Sequence, residues 1–424
     1  MKNIMMMKDG LLHTPEGVRD IYGEEFRKKE WIEEKLHDVL KRHCFQDIQT
    51  PTFEFFDIFN HEKGSAISKD MYKFFDRDNN TLVLRPDMTP SIARCVSKYF
   101  SQKDMPLRLG YCENTFINSP KYQGKLKETT NLGAELFGDD TSIADAEMIA
   151  TIIEGFLAIG LKEFQISVGH VGFFKGLIEQ AKLDSNTELE FKEFINTKNF
   201  FGLEQKITQI DLKDNIAQAF ISIDELNGGI EVIESAKKYA DNKVSKEALE
   251  RLEKVNQALQ YFGYEKYVSY DLGMLSRYDY YTGVIVKGYT YGIGDAVVRG
   301  GRYNNLMKQF GEDIPAIGFS FVVDDVLAAM NRQKLDIKTD FQASMCLYER
   351  ANQQQAVKFA SECRNKGENI ALTRKSSKKS MKEYLQCAKM NHYSRVFYFE
   401  HADKISIYDV ETGEEQKAEY KDFI

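Results

Sequence analysis

Apolar residues recur along the chain with two periods, and the changes between them predict its elements. From Glu24 to His43, Ile32, Leu36, Val39 and Leu40 fall at the spacing of an amphipathic helix that packs one face on a sheet. FQDIQTPTFEFF then reads as strand, and KFFDRDNNTLVLRP as a hairpin about an Asp-Asn-Asn turn. A helix is predicted after RPDM, with Thr89 as N-cap and Pro90 at the first helical position, where a missing N–H costs nothing. LRLGYCENTF and KETTNLGAELFG read as two strands, TSIADAEMIATIIEGFLAIG as a long helix stopped by Gly160, and QISVGH as strand.

From about Leu183 to Phe262 the pattern changes: proline is absent, Lys and Glu are frequent, and Leu252, Val255, Leu259 and Phe262 keep helical spacing, as in an inserted helical subdomain. Strands return at YVSYDLGML, in a glycine-rich hairpin YYTGVIVKGYTYGIGDAVVRGG, and at IPAIGFSFVV before a last helix. After a link near Gln333 to Asp340, strand and helix alternate in a small α/β domain over residues 340–424, against a core over 1–335. The expected class is α+β: an antiparallel sheet flanked by helices, with a helical insertion (about 183–262) and a C-terminal α/β domain.

With 424 residues, 42% hydrophobic and 29% charged, the chain has the balance of a globular protein of two or three domains. Its 57 basic and 65 acidic residues leave a formal charge of -8, so no global basic field draws in phosphate backbones and nucleic acid is not the expected partner. No apolar run reaches the length of a signal peptide or a membrane span, and no membrane partner is expected. Six scattered cysteines without a CxxC pair suit reduced thiols in a cytoplasmic protein, with no metal site and no cofactor expected.

Phosphate-loop, nucleophile-elbow, zinc-helix and dinucleotide signatures are absent. Short polar clusters on strands remain: Asp87 and Thr89 in RPDMT, Asn131 and Glu135 on one strand face, Arg277, Asp279, Tyr280 and Tyr281 in SRYDYYTG, and Arg299 and Arg302 in RGGRYNNL. Singly, each has an ordinary explanation: Glu135 as a solvated strand acid, the tyrosines as a packing pair, Gly300 and Gly301 as a hairpin turn. Together, acid and amide suit an ammonium group, and tyrosines border a flat side chain.

The order of these clusters resembles histidyl-tRNA synthetases, which have a class II synthetase core. TPEGVRDI is similar to that family's opening segment, LRPDMTPSIAR with the strands ending in GAELFG to motif two, PAIGFSF to motif three, and DYYTG and GGRYNNL to the two histidine-specific signatures. The likeness covers roughly residues 10 to 330, and LTRKSSKKSMKEYLQCAKM is similar to the same enzymes' anticodon-binding domain. It implies a histidine pocket at Asp87, Thr89, Asn131, Glu135, Tyr280 and Tyr281, with Asp87 replacing a glutamate and Asn131 a glutamine.

It also implies that three arginines used to bind ATP and the reacting carboxylate are lost, at Ile117, Ser276 and Asp325; Ser119 stands in place of a glutamate, and Arg277 is adjacent but turned to the other face. A guanidinium about 4 Å from a phosphate contributes on the order of 4 kcal/mol at an effective dielectric near 20, and a carboxylate reverses the sign. Asp324 and Asp325 also suit the first turn of a helix.

A synthetase-like chain with this pattern resembles the regulatory subunits of ATP phosphoribosyltransferase. Such subunits have no aminoacylation activity, are required by a short-form catalytic subunit, and take part in feedback inhibition by L-histidine, as homodimers within a hetero-oligomer. Members commonly end near the core, whereas this chain continues for about 90 residues. That tail keeps open a histidyl-tRNA synthetase, with Arg374, Lys375, Lys378, Lys379 and Lys382 meeting tRNA, or a paralogue ligating an amino acid to another acceptor.

Overall fold

The structure is a computed structural model describing residues 12–59, 68–118, 125–210, 212–275, 280–337, 342–401 and 404–420. Contacts divide the chain into two units, Met1–Asp336 and Ile337–Ile424.

The strands of the first unit are β1 (Gln46–Asp47), β2 (Phe53–Phe55), β3 (Lys73–Phe75), β4 (Thr81–Leu84), β5 (Leu107–Phe116), β6 (Glu128–Phe137), β7 (Phe164–His170), β8 (Asn227–Gly228), β9 (Val268–Asp271), β10 (Val284–Thr290), β11 (Val298–Arg302) and β12 (Ala316–Val322). Nine form one sheet in the order β1-β5-β6-β12-β11-β10-β7-β9-β8, and β2-β4-β3 form a small second sheet. The large sheet is antiparallel through its centre from β5 to β7, but β1 runs parallel to β5 and β9 parallel to β7, so it is mixed at its flanks. Gly300 and Gly301, read from sequence as a turn, lie inside β11 and pair with both neighbouring strands.

The helices are α1 (Gly23–Arg42), α2 (Thr89–Tyr99), α3 (Ser142–Ala158), α4 (Val171–Ala181), α5 (Ser185–Asn196), α6 (Phe200–Thr208), α7 (Asp214–Ile221), α8 (Glu231–Ala236), α9 (Lys243–Phe262), α10 (Asn304–Gln309) and α11 (Val323–Arg332). In α1 the buried residues are Ile32, Leu36, Val39 and Leu40, the stripe visible in sequence. Each contributes about 1.5–3 kcal/mol by leaving water. Helix α1 packs on α3, α11, β5 and β6. Thr141 caps α3 by accepting from the Ala144 N–H at 3.2 Å, and Gly160, at φ +79°, takes the left-handed turn beyond its end.

Helices α5 to α9 occupy the stretch expected to be an insertion, and β8 within it adds a strand to the sheet edge by pairing with β9. Helix α9 packs on α3 and α4 through Leu249, Leu252, Val255 and Leu259, while Phe262 ends on the surface. Asp145 on α3, fully buried, fixes this arrangement: Arg251 of α9 and Arg302 of β11 both donate to it, at 2.6 and 2.8 Å.

The second unit has a five-stranded sheet in the order β14-β13-β15-β16-β17, built from β13 (Ala343–Tyr348), β14 (Asn369–Arg374), β15 (Arg395–His401), β16 (Lys404–Asp409) and β17 (Glu415–Glu419). Two helices, α12 (Gln353–Asn365) and α13 (Met381–Met390), cover opposite faces. Cys346 of β13 packs with Phe359 of α12, whereas its neighbours Met345 and Leu347 pack with Tyr384 and Ala388 of α13, as strand alternation requires.

Candidate functional site

Sheet register builds the site. Glu135 on β6 lies opposite Gly318 on β12, Gly318 opposite Gly301 on β11, Gly301 opposite Ile285 on β10, and Ile285 opposite Gly169 on β7. A Cβ at Gly318 would lie 1.5 Å from Glu135 Oε2, and one at Gly301 2.8 Å from the Tyr281 ring. The missing side chains are thus the space that the carboxylate and the ring occupy.

Glu135 is 1% exposed, not the solvated acid of the simplest reading. Thr89 Oγ1 donates to Oε1 at 2.8 Å and Tyr303 OH to Oε2 at 2.5 Å. Burial pushes the acid up to about 8 against the pull of these two donors, and the charge of Asp87 adds to the rise. Thr89 therefore does not cap α2. It is the first residue of that helix, and its N–H is met by Asp87 Oδ1 at 3.3 Å. Tyr280 OH donates to Asp87 Oδ2 at 3.2 Å, and its ring lies 4.8 Å from that of Tyr281 and 5.9 Å from that of Tyr303. Asn131 Nδ2 donates to Thr115 Oγ1 at 2.6 Å and its Oδ1 accepts from Ser320 Oγ at 3.2 Å, so the amide is held in one orientation.

A cavity of about 1070 Å³ opens over this face. Asp87, Thr89, Asn131, Tyr280 and Tyr281 line it, whereas Glu135 sits one layer beneath, behind Thr89, Tyr303 and Gly318. Ile117 and Asp325 also line it; Ser276, Arg277, Asp279 and Ser119 lie outside the described residues. Burial raises the Asp325 carboxyl, and Arg299 and Lys125 partly offset that rise. A simple reversal of sign where the resemblance implies a phosphate-binding arginine is therefore too strong, because cations stand near the acid. Those cations already have partners: Lys125 and Arg299 both bind Asp295, at 2.9 and 2.5 Å.

Three assignments change. Arg302 belongs to the Asp145 cluster and does not line the cavity. Asp324 is more than a first-turn acid: it is buried, accepts from the Thr130 N–H at 2.7 Å and pairs with Lys29 of α1 at 2.9 Å, joining α11 to β6 and α1. Tyr303, within GGRYNNL and not singled out from sequence, is the donor that closes on Glu135. Its signal was the tyrosine following that motif's arginine; Tyr111 and Ser320, also on the cavity wall, gave none. Among the described residues no group of three His, Cys, Asp or Glu is placed to hold a metal.

The histidyl-tRNA synthetase family profile matches residues 17–326. An ATP phosphoribosyltransferase regulatory subunit from Acetivibrio thermocellus is 36% identical over 85% of this chain and 86% of its own. One from Clostridium novyi is 33% identical over 97% of this chain and 98% of its own. That coverage overturns the expectation that relatives stop near the core. A solved structure from Bacillus halodurans, described as an ATP phosphoribosyltransferase regulatory subunit/histidyl-tRNA synthetase, superposes with a TM-score of 0.81 at 28% identity over 92% of this chain and 98% of that one. Histidyl-tRNA synthetase from Nostoc gives 0.78 at 17% identity over 97% of this chain and 98% of that one, a likeness of fold. With a synthetase-type core and relatives of this identity along nearly its whole length, the chain belongs to the ATP phosphoribosyltransferase regulatory subunit family.

Proposed function

We propose that the chain serves histidine biosynthesis as the non-catalytic partner of a short-form ATP phosphoribosyltransferase catalytic subunit, which it activates, and that its cavity binds L-histidine as the feedback signal. One observation carries this reading. The same cavity holds an acid, hydroxyl, amide and paired tyrosines suited to a small aromatic amino acid, and is lined by Ile117 and Asp325, where the resemblance to synthetases implies arginines. Asp87 and the Glu135 layer accept from or balance an ammonium, and the Tyr280–Tyr281 pair offers ring faces to an imidazole. Histidine then shifts the hetero-oligomer toward one arrangement by no more than its differential affinity for the two.

Calorimetric titration of the complex with L-histidine tests the pocket. Saturable binding lost in Glu135→Ala and in Tyr281→Ala is expected; inhibition by histidine that persists in both variants refutes the site. Co-purification with the catalytic chain, and a rise in its activity on mixing, tests the partnership. Pyrophosphate exchange with histidine and ATP should stay at background, and exchange above it would make the chain a synthetase.

A further inference from the structure

Two residues along from the glycine row, the same sheet face carries a second row. Register places Ser167 of β7 opposite Lys287 of β10, Lys287 opposite Arg299 of β11, and Arg299 opposite Ser320 of β12. Like charges directly opposite on antiparallel strands repel, so an adjacent lysine and arginine in the middle of a sheet need compensation.

Asp271, Asp295 and Asp325 act on the pair, but among the described residues only Arg299 of the two meets one of them in a hydrogen bond. Arg299 donates to Asp295 Oδ1, but Asp295 Oδ2 is also taken by Lys125, so one carboxylate serves two cations. Lys287 Nζ has a single hydrogen bond among the described residues, at 3.5 Å to the Leu275 carbonyl. Asp271 is the nearer acid, but its carboxyl accepts from the Gly273 N–H and burial pushes its pKa upward. Burial likewise holds the Lys287 ammonium below the usual lysine range.

Both cations face a separate cavity of about 320 Å³. Its wall is closed on one side by Asn196, the last residue of α5, and Tyr281, Asp295 and Arg299 line both this cavity and the larger one. A ligand seated in either can therefore extend toward the other.

We propose that Lys287 and Arg299 form an oxyanion subsite that takes the carboxylate or phosphate group of a small metabolite. A point charge beside a planar guanidinium fork is a recurrent way of holding such oxygens. The bound anion gives Lys287 the hydrogen-bonded acidic partner that Asp271 and Asp295 do not provide among the described residues. Its occupancy does not depend on histidine filling the larger cavity.

The test is titration of the full-length chain with inorganic phosphate and, separately, with acetate, at constant ionic strength maintained with chloride. Saturable binding of at least one anion is expected, weakened at least tenfold in Lys287→Met and retained in Lys287→Arg; which anion binds identifies the group. The far-ultraviolet spectrum and melting of each variant report folding, and if Lys287→Met does not fold, Arg299→Gln takes its place with the same expected loss. Unsaturable heats for both anions, or a folded neutral variant that binds as the parent does, overturns the proposal. Histidine affinity is read in the same samples, so failure of one site is distinguishable from failure of the other.

Discussion

At the scale of single residues, Glu135 concentrates the chemistry. Its carboxyl is pushed up to about 8 by burial, whereas the same group in the unfolded chain titrates near 4.5. Between those values the folded state binds more protons than the unfolded one, so this group's contribution to stability falls as pH rises, by up to about 1.4 kcal/mol per unit. Denaturant melts from pH 5 to 8 should show the decline, and Glu135→Gln should flatten it. A cation bound above Glu135 favours its ionised form, so calorimetry in buffers of different ionisation enthalpy should record proton release on histidine binding near pH 7. Gly318 depends on the same carboxylate. Gly318→Ala is expected to cost about 1–3 kcal/mol through overpacking, and Gly318→Ala in a Glu135→Ala background distinctly less, with the coupling measured by a double-mutant cycle. The nearby backbone oxygen of Ala134, 2.9 Å from the added carbon, keeps the rescue partial.

At the scale of elements, the Asp145 cluster joins what sequence periodicity describes as separate pieces. Asp145→Ala would leave the buried Arg302 and the part-buried Arg251 without their shared acid, and a loss of about 3–5 kcal/mol is expected in urea unfolding, with α9 the first helix to gain hydrogen exchange. Elements were legible wherever one face is buried and the period is regular: α1 announces itself through Ile32, Leu36, Val39 and Leu40, and β5 and β6 through their apolar runs. What escaped the sequence has a common physical cause. The parallel pairings of β1 and β9, the strand β8, the tertiary role of Asp324 and the donor role of Tyr303 are all set by partners distant in the chain, and local pattern carries no record of such partners. The Thr89 misreading is of the same kind: a good capping residue in isolation is recruited by Glu135, 46 positions away.

At the scale of the molecule, the two units have separate cores, and every residue assigned to either cavity lies in the first. A chain ending at Asp336 is therefore expected to bind histidine with an affinity within about threefold of the full length, measured by the same titration. Loss of activation of the catalytic subunit in that truncated chain, with binding intact, would assign the tail to assembly. The floor of the larger cavity has a further consequence, for how the protein acquires its activity. Its strand residues come from β5 and β6 on one side and from β11 and β12 on the other, and β6 meets β12 through partners far apart in the chain, such as Glu135 and Gly318. Contacts of such sequence separation close late, after the loop-closure entropy has been met. The β5–β6 pair and the β11–β12 pair each carry one part of the lining, so ligand binding during refolding should appear only with the cooperative phase that joins them, and histidine affinity serves as a gauge of completed molecules.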